Sequence, residues 1–344
     1  STARRARERA ALTHRATTPL PPEPASLSPE PASLSLYTPA GVLVRPAALT
    51  LAARRLRALG YAVAVDAAAR ARFQRFGGDD DTRLEALHRV ADAAPDIALA
   101  TRGGYGLTRL LDRIDWKRIE RSIARGTRWV GHSDLTVVQL ALLARRRRGD
   151  DESAITWAGP LACDDFGRPD DAGGIDEITR DCFVEAMDGS LEAVGFRTET
   201  GFDGLQAAGV LWGGNLCMVN SLLGTRHFPA ISRGVLFLED VNEHPYRTER
   251  NLLQLLQAGV IDAQKAVVLG QFSGWRKAPH DRGYSMKTVV ALLRTLTRTP
   301  ILTGLPFGHV PTKVTMPVGA RVTLLVDGRD ALIGWAHRHA HESH

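Results

Sequence analysis

The sequence predicts an α/β protein with a parallel-sheet N-terminal half and a mixed, partly barrel-like α/β C-terminal half. In residues 34–155, short apolar β-prone runs alternate with helical patterns, as they do in consecutive βαβ units. After a stretch rich in Asp, Gly and Pro, the β-prone runs become more frequent. The chain has 344 residues, 44% of them hydrophobic, which is enough to build two cores.

Strands and helices follow one another at short intervals in the N-terminal half. The carboxyl ends of parallel strands meet at one edge of a sheet, where the loops collect functional groups. We therefore expect the glycine-rich turn Arg102–Gly106 and the turn Gly131–Asp134 to open onto the same edge. The predicted elements are, in order, strand Leu34–Thr38, helix Ala47–Leu59, strand Tyr61–Val65, helix Asp79–Ala93, strand Ile97–Thr101, helix Leu107–Leu111 and strand Trp129–Val130, followed by a further helix.

The C-terminal half begins beyond Asp150–Gly174, a stretch without clear periodicity that indicates a crossing between domains. Its apolar runs favour strands, and the patterns between them favour helices. The predicted strands are Gly209–Trp212, Gly234–Leu238, Ala266–Gly270 and Arg321–Val326, and the predicted helices include Thr248–Ala258 and Lys287–Leu296.

Composition also indicates where the predicted segments of the chain begin and end. Pro19–Ser33 repeats Pro, Glu, Ser and Leu, which bury too little apolar surface to offset the entropy of ordering. The N-terminus also lacks the apolar core of a secretory signal, so export by that route is not expected. The predicted segments are a disordered extension (1–33), an N-terminal domain (34–155), a linker (156–174), a C-terminal domain (175–335) and a polar tail containing histidines (336–344).

Composition also disfavours several classes of protein. The net charge is +6, but Arg and Lys are scattered among Asp and Glu, so nucleic-acid binding is not expected. No apolar run approaches the roughly 20 residues that span a bilayer. The three cysteines have no CxxC spacing, which indicates a reducing compartment and neither disulfides nor a zinc knuckle. Gly103-Gly104-Tyr105-Gly106 lacks the GxGxxG spacing, which disfavours a nicotinamide-dependent oxidoreductase.

Ser133 is a candidate nucleophile. It directly follows a strand and the pair Gly131-His132, and a helix begins immediately after it, as in a nucleophile elbow. The N–H of Asp134 would then point into the site from the helix start. The alternative is that Ser133 or Asp134 caps the helix, and on local sequence alone the cap is favoured.

A serine nucleophile needs a base and an acceptor that orients it. His309 lies in Leu305-Pro306-Phe307-Gly308-His309, a loop fixed by Pro and Gly, although a lone loop histidine is more often structural. Glu239 and Asp240 end an apolar strand, where an unpaired carboxylate is costly, so either could orient the base. The alternative is an ion pair with Arg247 or Arg250.

Six groups of residues, taken together, resemble the LD-carboxypeptidase family of serine peptidases, which trims cell-wall muropeptides and includes the microcin-immunity peptidases. The resemblance extends from about Leu34 to Val326. The matching groups are Phe76-Gly77-Gly78-Asp79 with Arg83-Leu84; Arg102-Gly103-Gly104-Tyr105-Gly106 with Arg109-Leu110-Leu111; Gly131-His132-Ser133-Asp134; Gly213-Gly214-Asn215-Leu216 with Gly224-Thr225; Leu238-Glu239-Asp240 with Glu243, Pro245-Tyr246 and Arg250; and Pro306-Phe307-Gly308-His309.

The resemblance implies a role for each candidate. Ser133 is expected to be the nucleophile, His309 the general base and then acid, and Glu239 the residue that orients the imidazole. The N–H groups of Asp134 and of Gly103 or Gly104 would hold the oxyanion. The triad would assemble across the domain interface, no metal or cofactor would be needed, and the N-terminal domain would resemble class I glutamine amidotransferases.

The family also implies a substrate. The expected reaction releases terminal D-alanine from a murein tetrapeptide by hydrolysis of its L,D-amide bond, with either diaminopimelate or lysine as the third residue. Arg102 or Asn215 is the candidate for the terminal carboxylate and Glu243 for the diamino-acid side chain. A cytoplasmic homodimer that binds neither nucleic acid nor membrane is expected.

Two departures from the family pattern stand out. His132 replaces the usual aromatic residue before the serine, and Thr38-Pro39-Ala40 stands where a Pro-Ser pair is common. We expect His132 to pack or to face the substrate. The alternative functions are a microcin-immunity-type peptidase that cleaves a peptidyl or aminoacyl nucleotide, and a non-catalytic muropeptide-binding protein. Asp164–Thr198 contains no obvious aromatic pair for stacking a nucleobase, which favours the cell-wall substrate.

Overall fold

Thirteen strands and eight α-helices make up the regular structure of residues 30–146 and 154–335, the part of the chain that the computed structural model describes. The strands are β1 (Ser33–Tyr37), β2 (Ala62–Val65), β3 (Ile97–Ala100), β4 (Arg128–Gly131), β5 (Thr156–Ala158), β6 (Ala193–Arg197), β7 (Gln206–Asn215), β8 (Val235–Val241), β9 (Ala266–Ser273), β10 (Ile301–Leu302), β11 (Met316–Val318), β12 (Arg321–Asp327) and β13 (Asp330–Gly334). The helices are α1 (Pro46–Ala58), α2 (Asp80–Ala93), α3 (Trp116–Ala124), α4 (Thr136–Ala144), α5 (Glu177–Asp188), α6 (Leu216–Leu222), α7 (Pro245–Gln257) and α8 (Met286–Leu296).

The first sheet has six strands in the order β11-β5-β4-β3-β1-β2. All of its neighbours are parallel except β11, which pairs antiparallel with β5. Strand β3 is buried along its whole length, as expected for a parallel strand covered on both faces. Helix α1 packs through small and aliphatic residues spaced three or four positions apart, from Ala48 to Leu56. The predicted parallel N-terminal sheet is thus observed.

The second sheet has seven strands in the order β10-β9-β8-β7-β12-β13-β6. Strands β7 to β10 are parallel, whereas β12, β13 and β6 join antiparallel. The predicted mixed α/β class with two sheets is confirmed. The likeness to glutamine amidotransferases and the barrel-like character stay predictions. No helix in the described residues combines the length and the apolar character that crossing a bilayer requires.

The segment predicted as a linker, 156–174, contributes one short strand to the first sheet. It provides β5, and Ala162–Phe166 then forms a π-helical turn that is mostly buried. Three residues of strand are too few to show a periodicity, although Trp157 and Phe166 both lie in the core. Strand β11 returns from the predicted C-terminal domain into the first sheet, so the division of the chain into domains stays a prediction.

Strand β1 begins one residue before the predicted start of the N-terminal domain. Most of the extension (residues 1–29) and the tail (336–344) lie outside the described residues. Ser33, predicted to belong to the extension, is the first residue of β1. Its N–H and its hydroxyl both donate hydrogen bonds to Asp96 Oδ2, at 2.7 and 2.8 Å, which anchor the start of the strand.

A buried ion pair joins the π-helical turn to the loop before β11. Lys313 Nζ pairs with Asp165, and both side chains are at most 3% exposed. The other carboxylate oxygen of Asp165 accepts a hydrogen bond from the Leu161 N–H at 2.9 Å. Burial makes each charge dependent on the other, because removing one partner leaves the other without compensation.

We expect Asp165→Asn to lower the free energy of unfolding by about 3–5 kcal/mol, the usual cost of breaking a buried pair. Urea unfolding measures the change. Asp181→Asn is a suitable control because it breaks an ion pair with Arg180 that is exposed on the surface, and it should change stability little. Equal stabilities of the two variants would contradict this role for Asp165.

Candidate active site

Ser133 lies on a strained turn between β4 and α4. Its φ is +64°, a left-handed conformation that a non-glycine residue adopts only when its surroundings impose it. The residue begins a short 3₁₀ turn, Ser133–Leu135, and no side chain caps this turn or the helix after it. The hydroxyl instead lies 2.9 Å from His309 Nε2. The helix-cap alternative for Ser133 is therefore wrong, since the tertiary contact engages the hydroxyl.

His309 connects Ser133 to Glu239. Its Nδ1 lies 2.8 Å from Glu239 Oε2, while its Nε2 faces the serine hydroxyl. The imidazole is partly buried and the Glu239 side chain is completely buried. An imidazole held in this way has one tautomer favoured, with the proton on Nδ1 and the Nε2 lone pair directed at the hydroxyl.

Glu239 stands at the carboxyl end of β8, where a network of hydrogen bonds compensates its buried charge. The side-chain amide of Asn215 donates to Glu239 Oε1 at 3.2 Å and to Asp240 Oδ1 at 3.0 Å. The Cys217 N–H donates to Asp240 Oδ2. Arg247, suggested from the sequence as an ion-pair partner of Glu239, lies 3.7 Å from Glu243 instead.

Two glycines allow the histidine loop to approach Glu239. A Cβ on Gly270 would lie 2.4 Å from the Phe307 carbonyl oxygen, and one on Gly308 would lie 3.3 Å from Glu239 Oε2. Gly308 also has φ +144°, which disfavours any other residue. The Gln271 N–H donates to the Phe307 carbonyl at 2.8 Å. Backbone contact with β9 thus fixes the loop that carries His309.

Two neighbouring histidines have opposite pKa shifts. Burial lowers the pKa of His309, but its hydrogen bond to Glu239 and the charge of that carboxylate outweigh this effect and raise the pKa above 6.5. Burial, with the nearby His309 and Lys313, holds the pKa of His132 well below 6.5. His132 Nδ1 lies 2.8 Å from the Gly159 carbonyl, and its ring meets the ring of His309 edge to face at 5.0 Å. His132 therefore packs against His309, one of the two roles expected for it.

Gly103 and Asp134 lie on one side of the Ser133 hydroxyl. A Cβ built on Gly103 would be 2.7 Å from Ser133 Oγ and 3.5 Å from the Asp134 nitrogen. The Gly103 carbonyl is turned away, because it accepts a hydrogen bond from the Gly41 N–H. Gly104 has φ +95° and packs against Gly41. The two turns expected to share one edge of the sheet therefore meet around the hydroxyl.

The side chain of Asp134 connects these two turns. Its Oδ2 accepts a hydrogen bond from the Leu107 N–H at 2.8 Å, directly after the glycine-rich segment. Burial raises the pKa of Asp134 to about 6, although the Leu107 N–H and the nearby Arg83 oppose the shift. The carboxylate thus positions the glycine turn and does not cap a helix.

The three candidate substrate-binding residues have different surroundings. Arg102 is half-buried, and its Nη1 donates to the Val42 carbonyl at 3.0 Å. Glu243 follows β8 and is partly exposed. Asn215 is 5% exposed, caps helix α6 and already directs its amide group at Glu239 and Asp240. Asn215 therefore differs from the prediction: its polar atoms are engaged within the protein and are not directed at a substrate carboxylate.

Some residues that hold this site together were not predicted from the sequence. Thr136 Oγ1 accepts a hydrogen bond from the Asn215 N–H at 3.1 Å, which joins the start of α4 to the end of β7. The available signal is an amide residue at a strand end beside two glycines, Gly213-Gly214-Asn215. In the described residues, no group of three or more His, Cys, Asp and Glu side chains is arranged to hold a metal ion.

Comparisons with known proteins match both halves of the chain. The sequence profile described as the LD-carboxypeptidase N-terminal domain matches residues 34–148, and that of the LD-carboxypeptidase C-terminal domain matches residues 208–324. The murein tetrapeptide carboxypeptidase of Pseudomonas aeruginosa is 31% identical over 266 residues, which are 74% of this chain and 80% of that protein.

Solved structures agree with these matches. The crystal structure of muramoyltetrapeptide carboxypeptidase from Oxalobacter formigenes has a TM-score of 0.78 at 35% identity, and the match covers 89% of this chain and 99% of that one. The microcin C7 self-immunity protein, in complex with aspartyl sulfamoyl adenosine, has a TM-score of 0.76 at 18% identity, covering 89% and 96%. At that identity the second likeness concerns the fold alone.

We expect Glu239→Gln to lower the pKa of His309, because the amide keeps the shape of the side chain but removes the charge that opposes burial. Titration of isotope-labelled histidines by NMR measures the shift, with His309→Gln assigning the signal. Glu243→Gln removes a charge that does not contact His309 and should leave its pKa nearly unchanged. A His309 pKa that is insensitive to Glu239→Gln would contradict the coupling.

Proposed function

This chain belongs to the LD-carboxypeptidase family, and from that premise we propose that it is a serine carboxypeptidase acting on murein tetrapeptides. The reaction hydrolyses the L,D-amide bond that joins the third residue to the terminal D-alanine. One observation carries the proposal: the hydrogen-bonded series from Glu239 through His309 to Ser133, on a strained turn at the end of a strand. That is the arrangement of an activated serine nucleophile with its base and orienting acid.

In the proposed mechanism, Ser133 Oγ attacks the carbonyl carbon of the third residue while His309 Nε2 takes the hydroxyl proton. Glu239 accepts a hydrogen bond from the Nδ1–H group of His309 and stabilises the imidazolium that forms. His309 then gives its proton to the departing amine, the C–N bond breaks, and D-alanine leaves. Water, activated by the same imidazole, attacks the acyl-serine and releases the tripeptide.

The oxyanion of the tetrahedral intermediate would be held by backbone N–H groups. Those of Asp134 and of Gly103 or Gly104 are our candidates, because a Cβ built on Gly103 would lie 2.7 Å from Ser133 Oγ and 3.5 Å from the Asp134 nitrogen. Fixed donors of this kind need no rearrangement as charge develops. The site therefore needs neither metal nor cofactor for the proposed acyl transfer.

Two alternatives have less support. A non-catalytic muropeptide-binding protein would have no use for a strained serine paired with a histidine and a buried glutamate. A microcin-immunity-type enzyme would need an aromatic surface for a nucleobase. Of the residues in Asp164–Thr198, the aromatic ones are all buried: Phe166, Phe183 and Phe196. Their burial favours the cell-wall substrate.

The remaining assignments are part of the same proposal. Arg102 would bind the terminal carboxylate, and Glu243 stays a candidate for facing the diamino-acid side chain. We propose a cytoplasmic location, since a cell-wall recycling enzyme meets its released muropeptides there, and a homodimer, as the resemblance to the family suggests. We also propose that the cleft between the halves carrying Ser133 and His309 is the substrate site.

We expect Ser133→Ala to lower kcat for D-alanine release by at least about 10⁴-fold, because the nucleophile is removed while substrate binding remains. Mass spectrometry of a purified murein tetrapeptide incubated with each protein measures the release. Equal release by wild type and variant would reject Ser133 as the nucleophile. Absence of release by the wild type would favour the alternative functions.

We expect Gly103→Ala to lower kcat by about a hundredfold or more, the usual effect of losing an oxyanion donor. The new methyl group would be 2.6 Å from Ser133 Cβ, so the glycine turn must move away. Gly195→Ala is a matched control, because Gly195 is an exposed residue of β6 and the nearest contact of the new methyl group would be 3.9 Å away. The hypothesis fails if Gly103→Ala keeps the kcat of the control.

A further inference from the structure

One exposed carboxylate stands out in the segment that follows β5. The π-helical turn Ala162–Phe166 lies at the carboxyl edge of the first sheet, and such turns are frequent at functional sites. Residues 161–167 are buried with a single exception, Asp164. The turn therefore packs its backbone and its other side chains inside the protein and presents one carboxylate to solvent.

Two contacts fix the position of Asp164 relative to the proposed triad. The Cys163 N–H donates to the Thr101 carbonyl at 2.8 Å, immediately before Arg102 and the glycine turn. On its other side, Asp165 pairs with Lys313, four residues after His309. Asp164 thus lies between the loop that flanks Ser133 and the loop that carries the histidine.

The charge of Asp164 is not neutralised by a direct partner. Its backbone carbonyl accepts a hydrogen bond from Arg168 Nη2 at 3.2 Å, but its carboxylate has no hydrogen-bond or ion-pair partner among the described residues. The protein atoms crowded around it, and the neighbouring Asp165, raise its pKa, whereas Arg102, His309 and Lys313 lower it. An exposed carboxylate without a charged partner is suited to bind a cation.

The chemistry of the proposed substrate places one cation next to the reacting carbonyl. The departing D-alanine carries only a carboxylate, and the amine of the third residue's backbone is part of an amide bond. The side chain of that residue carries an ammonium group in both diaminopimelate and lysine, and in diaminopimelate the same carbon also carries a carboxylate. Glu243, the other candidate, already has Arg247 within 3.7 Å, so its charge is partly compensated.

We propose that Asp164 is a specificity-determining residue that binds the side-chain ammonium of the third residue of the tetrapeptide. This inference rests on the proposed function of the site. The anchored π-helical turn holds the carboxylate in place, so little side-chain entropy is lost on binding. Acylation of the side-chain amine removes the cation that Asp164 would bind, so the acylated peptide would be a poorer substrate.

The test compares two substrates that differ in one charge. The first is the diaminopimelate or lysine tetrapeptide, whichever releases D-alanine faster, and the second is the same peptide acetylated on the side-chain amine. We expect wild type to prefer the free amine by roughly tenfold or more in kcat/KM. Asp164→Asn should bring the ratio of the two kcat/KM values close to one, and Asp164→Glu, which keeps the charge, should restore part of the preference.

Asp181→Asn is the charge-matched control, because Asp181 is a surface carboxylate paired with Arg180, and it should keep the ratio within about twofold of wild type. Thermal unfolding checks that each variant is folded. A wild-type ratio of one, an unchanged ratio in Asp164→Asn, or equal losses in Asp164→Asn and Asp181→Asn would overturn the inference. Failure of wild type to release D-alanine from either unmodified tetrapeptide would instead overturn the proposed function, so the two failures are distinguishable.

Discussion

The hydrogen bonds that connect Glu239, His309 and Ser133 are the constraint on which the rest of the structure depends. Glu239 belongs to the second sheet and Ser133 to the first, so the two sheets must be held with their carboxyl edges facing each other. A completely buried carboxylate is stable only with its partners in place. The amide of Asn215 and the imidazole of His309 supply them, which couples the stability of this region to the geometry of the site.

Contacts away from the triad keep the two sheets in this relation. Strand β11 returns from the second half to extend the first sheet, and the buried pair of Asp165 and Lys313 fixes the chain just before it. Thr136 joins the helix behind Ser133 to the Asn215 backbone. Ser133 and His309, the proposed nucleophile and base, thus lie on a turn and a loop that are anchored by contacts with buried strands and helices.

Strain and close approach are concentrated around the hydroxyl. Ser133 has a left-handed backbone, and Gly103 comes so near that a methyl group would displace the serine. Backbone strain of this kind persists only where the surroundings impose it, and it is characteristic of functional sites. In this LD-carboxypeptidase family member, the strained turn and its close neighbours are thus already in place, as the electrostatic stabilisation proposed for the site requires.

Local sequence determined the α/β class, most strands of both sheets, the strand-end positions of Ser133 and Glu239 and the loop position of His309, because hydrophobic periodicity and Gly or Pro at strand ends are local signals. The choice between helix cap and nucleophile for Ser133 depended on His309, which is 176 residues away in the chain. Strand β5 is too short to show periodicity, so its place in the first sheet is visible only in the fold. The role of Asn215 also depends on distant residues, because its amide donates to two carboxylates that the pairing of adjacent strands brings close. These assignments depend on which residues meet in space, and only the tertiary structure decides that.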